Sequence, residues 1–301
     1  MKRVVSISLG SSKRDHQAKV NFANQEFLIE RIGTDGDKSK AIQLIRELDG
    51  KVDAFGMGGT DLYIYAGKKR YTFRESAEIA AAAKTTPIVD GSGVKNTLER
   101  RVVQHLTKQE RINFKEKSVL VVCAVDRFGL AEELVAAGSK TVFGDLLFGL
   151  GLPIPIHSLD KLALLAKVIA PIITKCPISM FYPTGDKQRE TKPRFSRYFN
   201  EAEIIAGDFH FIRRYMPARL DGKLIITNTV TLEDEKMLQE RGVTTLITTT
   251  PEIGGRSLGT NVLEGVLITL LGKRPEELTV FDYGQILDQI NIMPRIKRLS
   301  Y

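Results

Sequence analysis

The sequence predicts an α/β protein of two domains: a mixed α/β amino-terminal domain over residues 1–112 and a Rossmann-like, doubly wound carboxy-terminal domain over residues 113–301. Three observations predict it. A chain of 301 residues fits about two domains at roughly 150 residues each. Beyond Ser118, continuous apolar runs alternate with helical periods, the pattern of a parallel sheet covered on both faces. Between the halves lies Thr107–Lys117, charge-rich and without an apolar period.

Each element follows from its local text. Val4–Leu9 reads as a strand, and Ala18–Phe22 with Glu26–Ile32 as a hairpin around Ala23-Asn24. Ala41, Ile42, Leu44, Ile45 and Leu48 repeat at helical spacing, which predicts a helix over Lys38–Leu48. Strands are expected at Asp53–Met57, and at Leu62–Tyr65 and Arg70–Phe73 about a Gly67-Lys68 turn. An alanine-rich helix Ser76–Ala83 stops before Pro87, and a strand Pro87–Asp90 opens into a helix from Lys95 to Leu106. In the second half, strands are expected at Val119–Val125, Thr141–Asp145, Ile178–Tyr182, Glu203–Asp208, Leu224–Asn228 and Thr245–Thr250. Between them fall helices Leu130–Ala137, Leu159–Ile173, Arg194–Phe199, Leu232–Arg241 and Asn261–Leu271, with a further helix in Leu278–Ile296.

Composition excludes several classes. No run of 18 apolar residues exists, so a membrane span is not expected, and the opening Met-Lys-Arg-Val-Val lacks a signal core. Cys123 and Cys176 lie in apolar text and read as reduced core thiols of a cytoplasmic protein. With four histidines, none at metal spacing from a cysteine, no zinc site is expected. Lys and Arg number 44 against 36 Asp and Glu, a net charge of +8 that favours anionic partners in general. The one basic concentration, Lys187, Arg189, Lys192, Arg194 and Arg197 among Tyr182, Phe195, Tyr198 and Phe199, reads as a solvated loop entering an amphipathic helix. An anionic-ligand clamp is the alternative there, and nucleic acid is disfavoured.

The turn after Val119–Cys123 has the context of a dinucleotide loop: strand, turn, helix, then an acid about 20 residues on. Ala124, Asp126 and Gly129 stand at the three glycine places, Arg127 and Phe128 lie between, and Asp145 ends the next strand. A carboxylate at the second place repels a pyrophosphate unless Arg127 compensates, and Asp126 could instead cap the helix. Asp145 would hold a ribose hydroxyl and favour NAD over NADP, or serve as a strand-end acid. Later strand ends carry Asp208, His210 and Asn228, and Gly254-Gly255-Arg256-Ser257-Leu258-Gly259-Thr260 precedes a helix as an anion seat or a structural turn.

In the first half, Gly56–Asp61 and Asp90-Gly91-Ser92-Gly93-Val94-Lys95-Asn96-Thr97 are richer in glycine and polar residues than ordinary element text. Lys95 with Asp90 suggests a proton-transfer pair, with His210 the alternative acid–base group; a capped helix start is the plain alternative. Ser11, Ser12, Asn96, Thr97 and Arg256 are candidate substrate contacts, and Gly10–Lys13 and Gly33–Asp37 could equally be turns.

Two segments, Glu201-Ala-Glu-Ile-Ile-Ala-Gly-Asp208 and Leu220-Asp-Gly-Lys-Leu-Ile-Ile-Thr-Asn228, resemble the late Rossmann strands of shikimate and quinate dehydrogenases. Gly93-Val94-Lys95-Asn96-Thr97 is similar to that family's Gly-Ala-Val-Asn-Thr segment, with Lys95 departing from it. Over nearly its full length the chain resembles an uncharacterised bacterial family labelled quinate 5-dehydrogenase. The resemblance implies an NAD(P)-dependent oxidoreductase acting on a small anionic or polyhydroxylated metabolite in a cleft between the halves. Two glycines of the cofactor loop are missing, and that leaves two other classes open. One is a non-redox ligand-binding or regulatory protein; the other is a transferase using a phosphorylated substrate. The glycine loops could also belong to a homodimer interface.

Overall fold

The computed structural model describes residues 1–66, 69–177 and 190–299. It is a two-unit α/β fold with parallel sheets. The first unit comprises the described residues of Met1–Thr97, Val168–Gln188 and Leu258–Ile292; the second, those of Leu98–Lys167, Arg189–Ser257 and Met293–Tyr301. The break expected in Thr107–Lys117 therefore differs from this division. The helix that opens near Asp90 carries the chain onward without interruption, and a late stretch returns to the first unit.

The first unit holds β1 (Lys2–Ser8), β2 (His16–Phe22), β3 (Gln25–Gly33), α1 (Lys38–Leu48), β4 (Ala54–Gly58), β5 (Tyr63–Ala66), β6 (Lys69–Thr72), α2 (Arg74–Ala80), β7 (Ile88–Val89) and the start of α3 (Ser92–Lys108). Its sheet runs β2-β3-β1-β4-β7, parallel except for the β2–β3 hairpin. Ala23 and Asn24 turn that hairpin with positive φ, as the sequence suggests. The Asp37 carboxylate caps α1, which buries Ala41 and Ile45 against Val5, Ile7, Phe55 and Met57. Gly67-Lys68 lies outside the described residues. The alanine-rich helix starts at Arg74 rather than Ser76, and α3 starts at Ser92 rather than Lys95.

The second unit follows with β8 (Ser118–Val121), α4 (Phe128–Ala136), β9 (Lys140–Phe143), α5 (Leu159–Ile173, whose last turns belong to the first unit), α6 (Ser196–Glu201), β10 (Ile204–Ala206), α7 (Phe209–Tyr215), β11 (Leu224–Thr227), α8 (Leu232–Glu240), β12 (Thr245–Thr248), β13 (Glu252–Ile253) and β14 (Arg256–Ser257). Then α9 (Thr260–Leu271) and α10 (Val280–Gln289) belong to the first unit, and β15 (Arg295–Arg298) closes the second. Strand order is β9-β8-β10-β11-β12, all parallel, with β15 antiparallel at the edge. Alternate strand residues feed two cores. Val119, Val121, Ile204 and Ile226 meet α3 and α4, whereas Leu120, Ile205, Ile225 and Leu246 meet α6, α7 and α8. That is the doubly wound arrangement, and it explains the continuous apolar text.

Two elements escape the periodicity argument. Helix α7 has only seven residues, too few to show a period, and starts because the Asp208 carboxylate accepts from the His210 amide. Strand β15 reads Arg-Ile-Lys-Arg, and its Arg295 and Lys297 are held by Glu235 of α8. A charged edge strand blocks further pairing, and it hides from an apolar search. The expected strand Ile178–Tyr182 lies outside the described residues, as do Lys187 and Arg189 of the basic concentration. Cys123 and Cys176 are free and half-buried. Among the described residues no helix is long and apolar enough to cross a membrane.

Candidate active site

Among the described residues of the first unit, the buried ionisable side chains Asp61, Asp90, Lys95 and Glu264 lie around the start of α3. Lys95 is 6% exposed, and its ammonium stands 3.2 Å from an Asp61 carboxylate oxygen. Asp61 follows β4 in the glycine-rich stretch that the sequence singles out, and it takes the place expected for Asp90. Asp90 is instead an anchor. One oxygen accepts from the Leu62 and Tyr63 amides at 2.5 and 3.1 Å, and the other from the Ser92 amide and hydroxyl at 3.0 and 2.7 Å. Burial and the neighbouring Asp61 charge nonetheless raise the Asp90 pKa, against the pull of Ser92 and Lys95. A third carboxyl, Glu264 of α9, is buried close by and accepts from the Gly91 amide at 2.7 Å. Burial, then Asp90, push its pKa up to about 8.

One lysine among three buried carboxyls is costly to fold. Each ion gives up several kcal/mol of hydration, and here three carboxyls gather about one lysine. The cost is limited by leaving Glu264 neutral. What remains is a Lys95–Asp61 pair able to give or take a proton. Asn96, next along, is exposed, and the buried Thr97 hydroxyl has no hydrogen-bond partner among the described residues. Ser11 and Ser12 are turn residues instead: the Ser11 hydroxyl accepts from the Lys13 amide, and the Ser12 amide donates to Asp35. The glycines of β4 serve packing, since a Cβ on Gly56 or Gly58 would meet Asn261 of α9 at 3.0 or 3.2 Å.

In the second unit, the turn between β8 and α4 is closed by its own side chains. Asp145, expected to reach a ribose, turns inward: its Oδ1 accepts from the Ala124 and Val125 amides at 2.9 and 2.8 Å. The Arg127 amide donates to the Ala124 carbonyl at 2.9 Å. Arg127, 2% exposed, pairs with the fully buried Glu99 of α3 and with Asp208 at 3.1 Å. Asn228 braces that acid, donating to Asp208 at 2.8 Å and accepting from the Phe209 amide at 3.0 Å. Burial draws the Asp208 pKa upward, but the charges of His210 and Arg127, with the Asn228 bond, outweigh it and hold the carboxyl well below the usual range. His210 is thus an electrostatic partner of Asp208, while Phe128 and Gly129 open α4.

Tested as a nucleotide seat, this turn does not fit a pyrophosphate. The amides of Ala124, Val125 and Arg127 are already donated, and Asp126, Asp145 and Asp208 bring three carboxyls to the region. Burial raises the Asp145 pKa to about 6 against the pull of the two amides, with Asp126 adding to the rise. Its second oxygen is buried without a partner among the described residues. The same acids, after burial itself, push the Cys123 thiol well above its ordinary value, so it is no nucleophile. Arg256 sits in β14, where Gly254 and Gly255, both with positive φ, turn the hairpin from β13. Those glycines serve a tight turn there. Among the described residues no group of three or more His, Cys, Asp or Glu side chains is placed to hold a metal.

Sequence reasoning missed Asp61 as the partner of Lys95, and missed Glu99, Glu264 and Tyr283 altogether. Asp61 stood in a quoted stretch; the others lie within helical text, where only the fold reveals them.

Comparison with known proteins adds a family without a function. Residues 93–299 match the model of a domain of unknown function, DUF8754, and residues 3–90 that of another, DUF8753. The first match spans more than half of the chain, which therefore belongs to the DUF8754 family. No curated protein matches. Among solved structures, a sugar ABC transport substrate-binding protein from Bordetella parapertussis 12822 is similar at 13% identity and TM-score 0.34, covering 89% of this chain and 78% of that one. The glucose-galactose binding protein GanP from Geobacillus stearothermophilus aligns at 9% identity and TM-score 0.39, covering 99% and 97%. An NAD-dependent malic enzyme from Thermotoga maritima aligns at 12% and 0.33, covering 96% and 83%.

Proposed function

We propose that this member of the DUF8754 family acts on a small hydroxylated metabolite by proton transfer at Lys95, with Asp61 as the partner carboxylate. The observation that carries the reading is the buried Lys95–Asp61 pair at 3.2 Å, set among two further buried carboxyls. Such a cluster is poor stabilisation, and perturbed buried groups of this kind concentrate at functional sites. Its charge also selects. With the Asp61 carboxylate beside the Lys95 ammonium, and with Asp90 and Glu264 able only to add negative charge, the cluster offers no net positive charge. A neutral hydroxyl, able both to donate and to accept, suits it better than a free carboxylate or phosphate.

A second reading, an NAD-dependent dehydrogenase of the quinate type, is favoured by the strand order alone. The sheet reverses direction of growth between β8 and β10, and ligands of open α/β sheets gather at that point. The closed turn there supports the non-redox form, a ligand-processing protein on a degenerate Rossmann sheet.

The test is a thermal-shift panel of polyols, hydroxy acids, sugar phosphates and nicotinamide nucleotides. A ligand at 100 times its Kd stabilises by about 2.7 kcal/mol, several degrees for a chain of this size. Stabilisation by hydroxylated compounds that Lys95→Ala removes would support the proposal. Stabilisation by nicotinamide nucleotides alone, insensitive to Lys95, would replace it with the second reading.

A further inference from the structure

The turn that carries Lys95 is gripped by two helices of its own unit. Glu264 of α9 accepts at Oε2 from the Gly91 amide at 2.7 Å, and at Oε1 from the Tyr283 hydroxyl of α10 at 2.6 Å. The Gly91 carbonyl accepts from the Lys95 amide at 2.9 Å, so the grip acts on the first turn of α3. The glycines of this turn are shaped by the grip. A Cβ on Gly93 would stand 2.2 Å from Glu264 Oε1 and 2.6 Å from the Tyr283 hydroxyl. Gly91, with φ +94, would place a Cβ 2.7 Å from the Thr260 hydroxyl. Glu264, Tyr283 and Thr260 crowd the sites where the Cβ atoms of these glycines would be.

We propose that Glu264, held by Tyr283, is the positioning residue of the Lys95 site: it fixes the α3 turn through the Gly91 amide and, by gaining or losing a proton, sets the charge beside Lys95. This rests on the reading of Lys95 as the proton-transferring group. The groups that face Glu264 are Asp90, Lys95, Tyr283 and Tyr65. Burial and Asp90 raise its pKa to about 8; Tyr283, the Gly91 amide and Lys95 oppose the rise. Tyr283, itself raised by burial and by Glu264, stays a neutral phenol and can donate to the carboxylate or accept from the acid. The site therefore gains a negative charge as pH passes the upper neutral range. That charge favours the protonated form of Lys95.

Two variants of the full chain test it. Glu264→Gln keeps an acceptor for Gly91 and a partner for Tyr283 but cannot ionise, whereas Glu264→Ala loses both. The measurements are amide hydrogen exchange over Gly91–Lys95 and the titration of the Lys95 ammonium, followed by NMR. The expected result is about tenfold faster exchange at Gly91 in the alanine variant, with protection kept in the glutamine variant. In Glu264→Gln the Lys95 midpoint should fall by about one pH unit, because a neighbouring negative charge is gone. An unchanged midpoint in Glu264→Gln would overturn the proposal, and that variant alone decides if Glu264→Ala does not fold. If instead Lys95→Ala binds the same metabolites as the parent protein, the functional reading fails while the exchange and titration results stand.

Discussion

Two turns in this chain have the same plan and opposite outcomes. At Asp90–Lys95 a parallel strand of the first unit runs through a polar turn into α3; at Cys123–Gly129 a strand of the second unit runs into α4. In the second turn the charges close on each other: Arg127 meets Glu99 and Asp208, and Asp145 takes the loop amides. In the first, Lys95 has Asp61 beside it, and two more carboxyls stay in its surroundings. A strand–turn–helix with polar residues is a location, and the pairing within it decides whether it is structural or chemical. By that measure the α4 turn is closed by its own ion pairs, and the α3 turn is the one proposed to carry chemistry.

The comparison breaks first at Arg127. Arg127→Ala removes the guanidinium that the buried Glu99 and the partly buried Asp208 share, at an expected cost of about 3–5 kcal/mol in urea unfolding. If that loss stays below about 1 kcal/mol, the α4 turn is not held by its ion pairs and is open to a ligand. Next comes Gly93→Ala, whose methyl must displace the Glu264–Tyr283 pair. Overpacking of this kind costs about 1–3 kcal/mol, and a second substitution, Glu264→Ala, should recover part of it. A wild-type melting temperature for Gly93→Ala would mean the grip on α3 is loose.

A pH series sharpens the contrast within each turn. Glu264 and Asp145 both have folded pKa values above their unfolded ones, at about 8 and about 6 against ordinary values of 4.5 and 3.8. An acid shifted upward stabilises fully below its unfolded pKa, and that contribution is lost as pH rises through the folded one. Stability should therefore decline from about pH 4 to 6 through Asp145 and from about pH 4.5 to 8 through Glu264. Asp145→Asn should make the decline shallower below about pH 6, and Glu264→Gln should remove it above that pH, in thermal melts across that range. The smallest effect is expected at Thr279, whose hydroxyl caps α10 and so helps to place Tyr283. Thr279→Ala should cost about 1 kcal/mol and leave the decline through Asp145 and Glu264 in place.

Much of this was legible beforehand, and the omissions have one physical origin. Helix α1 was readable to the residue because its apolar face repeats. The parallel strands of the second unit were readable because both of their faces are buried. Lys95 was legible as a candidate because a lysine in glycine-rich text is unusual. Its partners were not: Glu264 reaches Gly91 across 173 positions of sequence. No local pattern encodes such a contact. Asp145 misled in the opposite way. Its spacing from the turn is that of a ribose acid, but spacing does not record which way a carboxylate faces.

The most direct measurement is a calorimetric titration of the purified protein with the hydroxylated compound that stabilises it most, and with NAD, in the parent chain, Lys95→Ala and Asp145→Ala. The expected result is metabolite binding that Lys95→Ala abolishes and Asp145→Ala leaves in place, with no heat from NAD. Micromolar NAD binding that Asp145→Ala abolishes would contradict it and make the α4 turn the functional one.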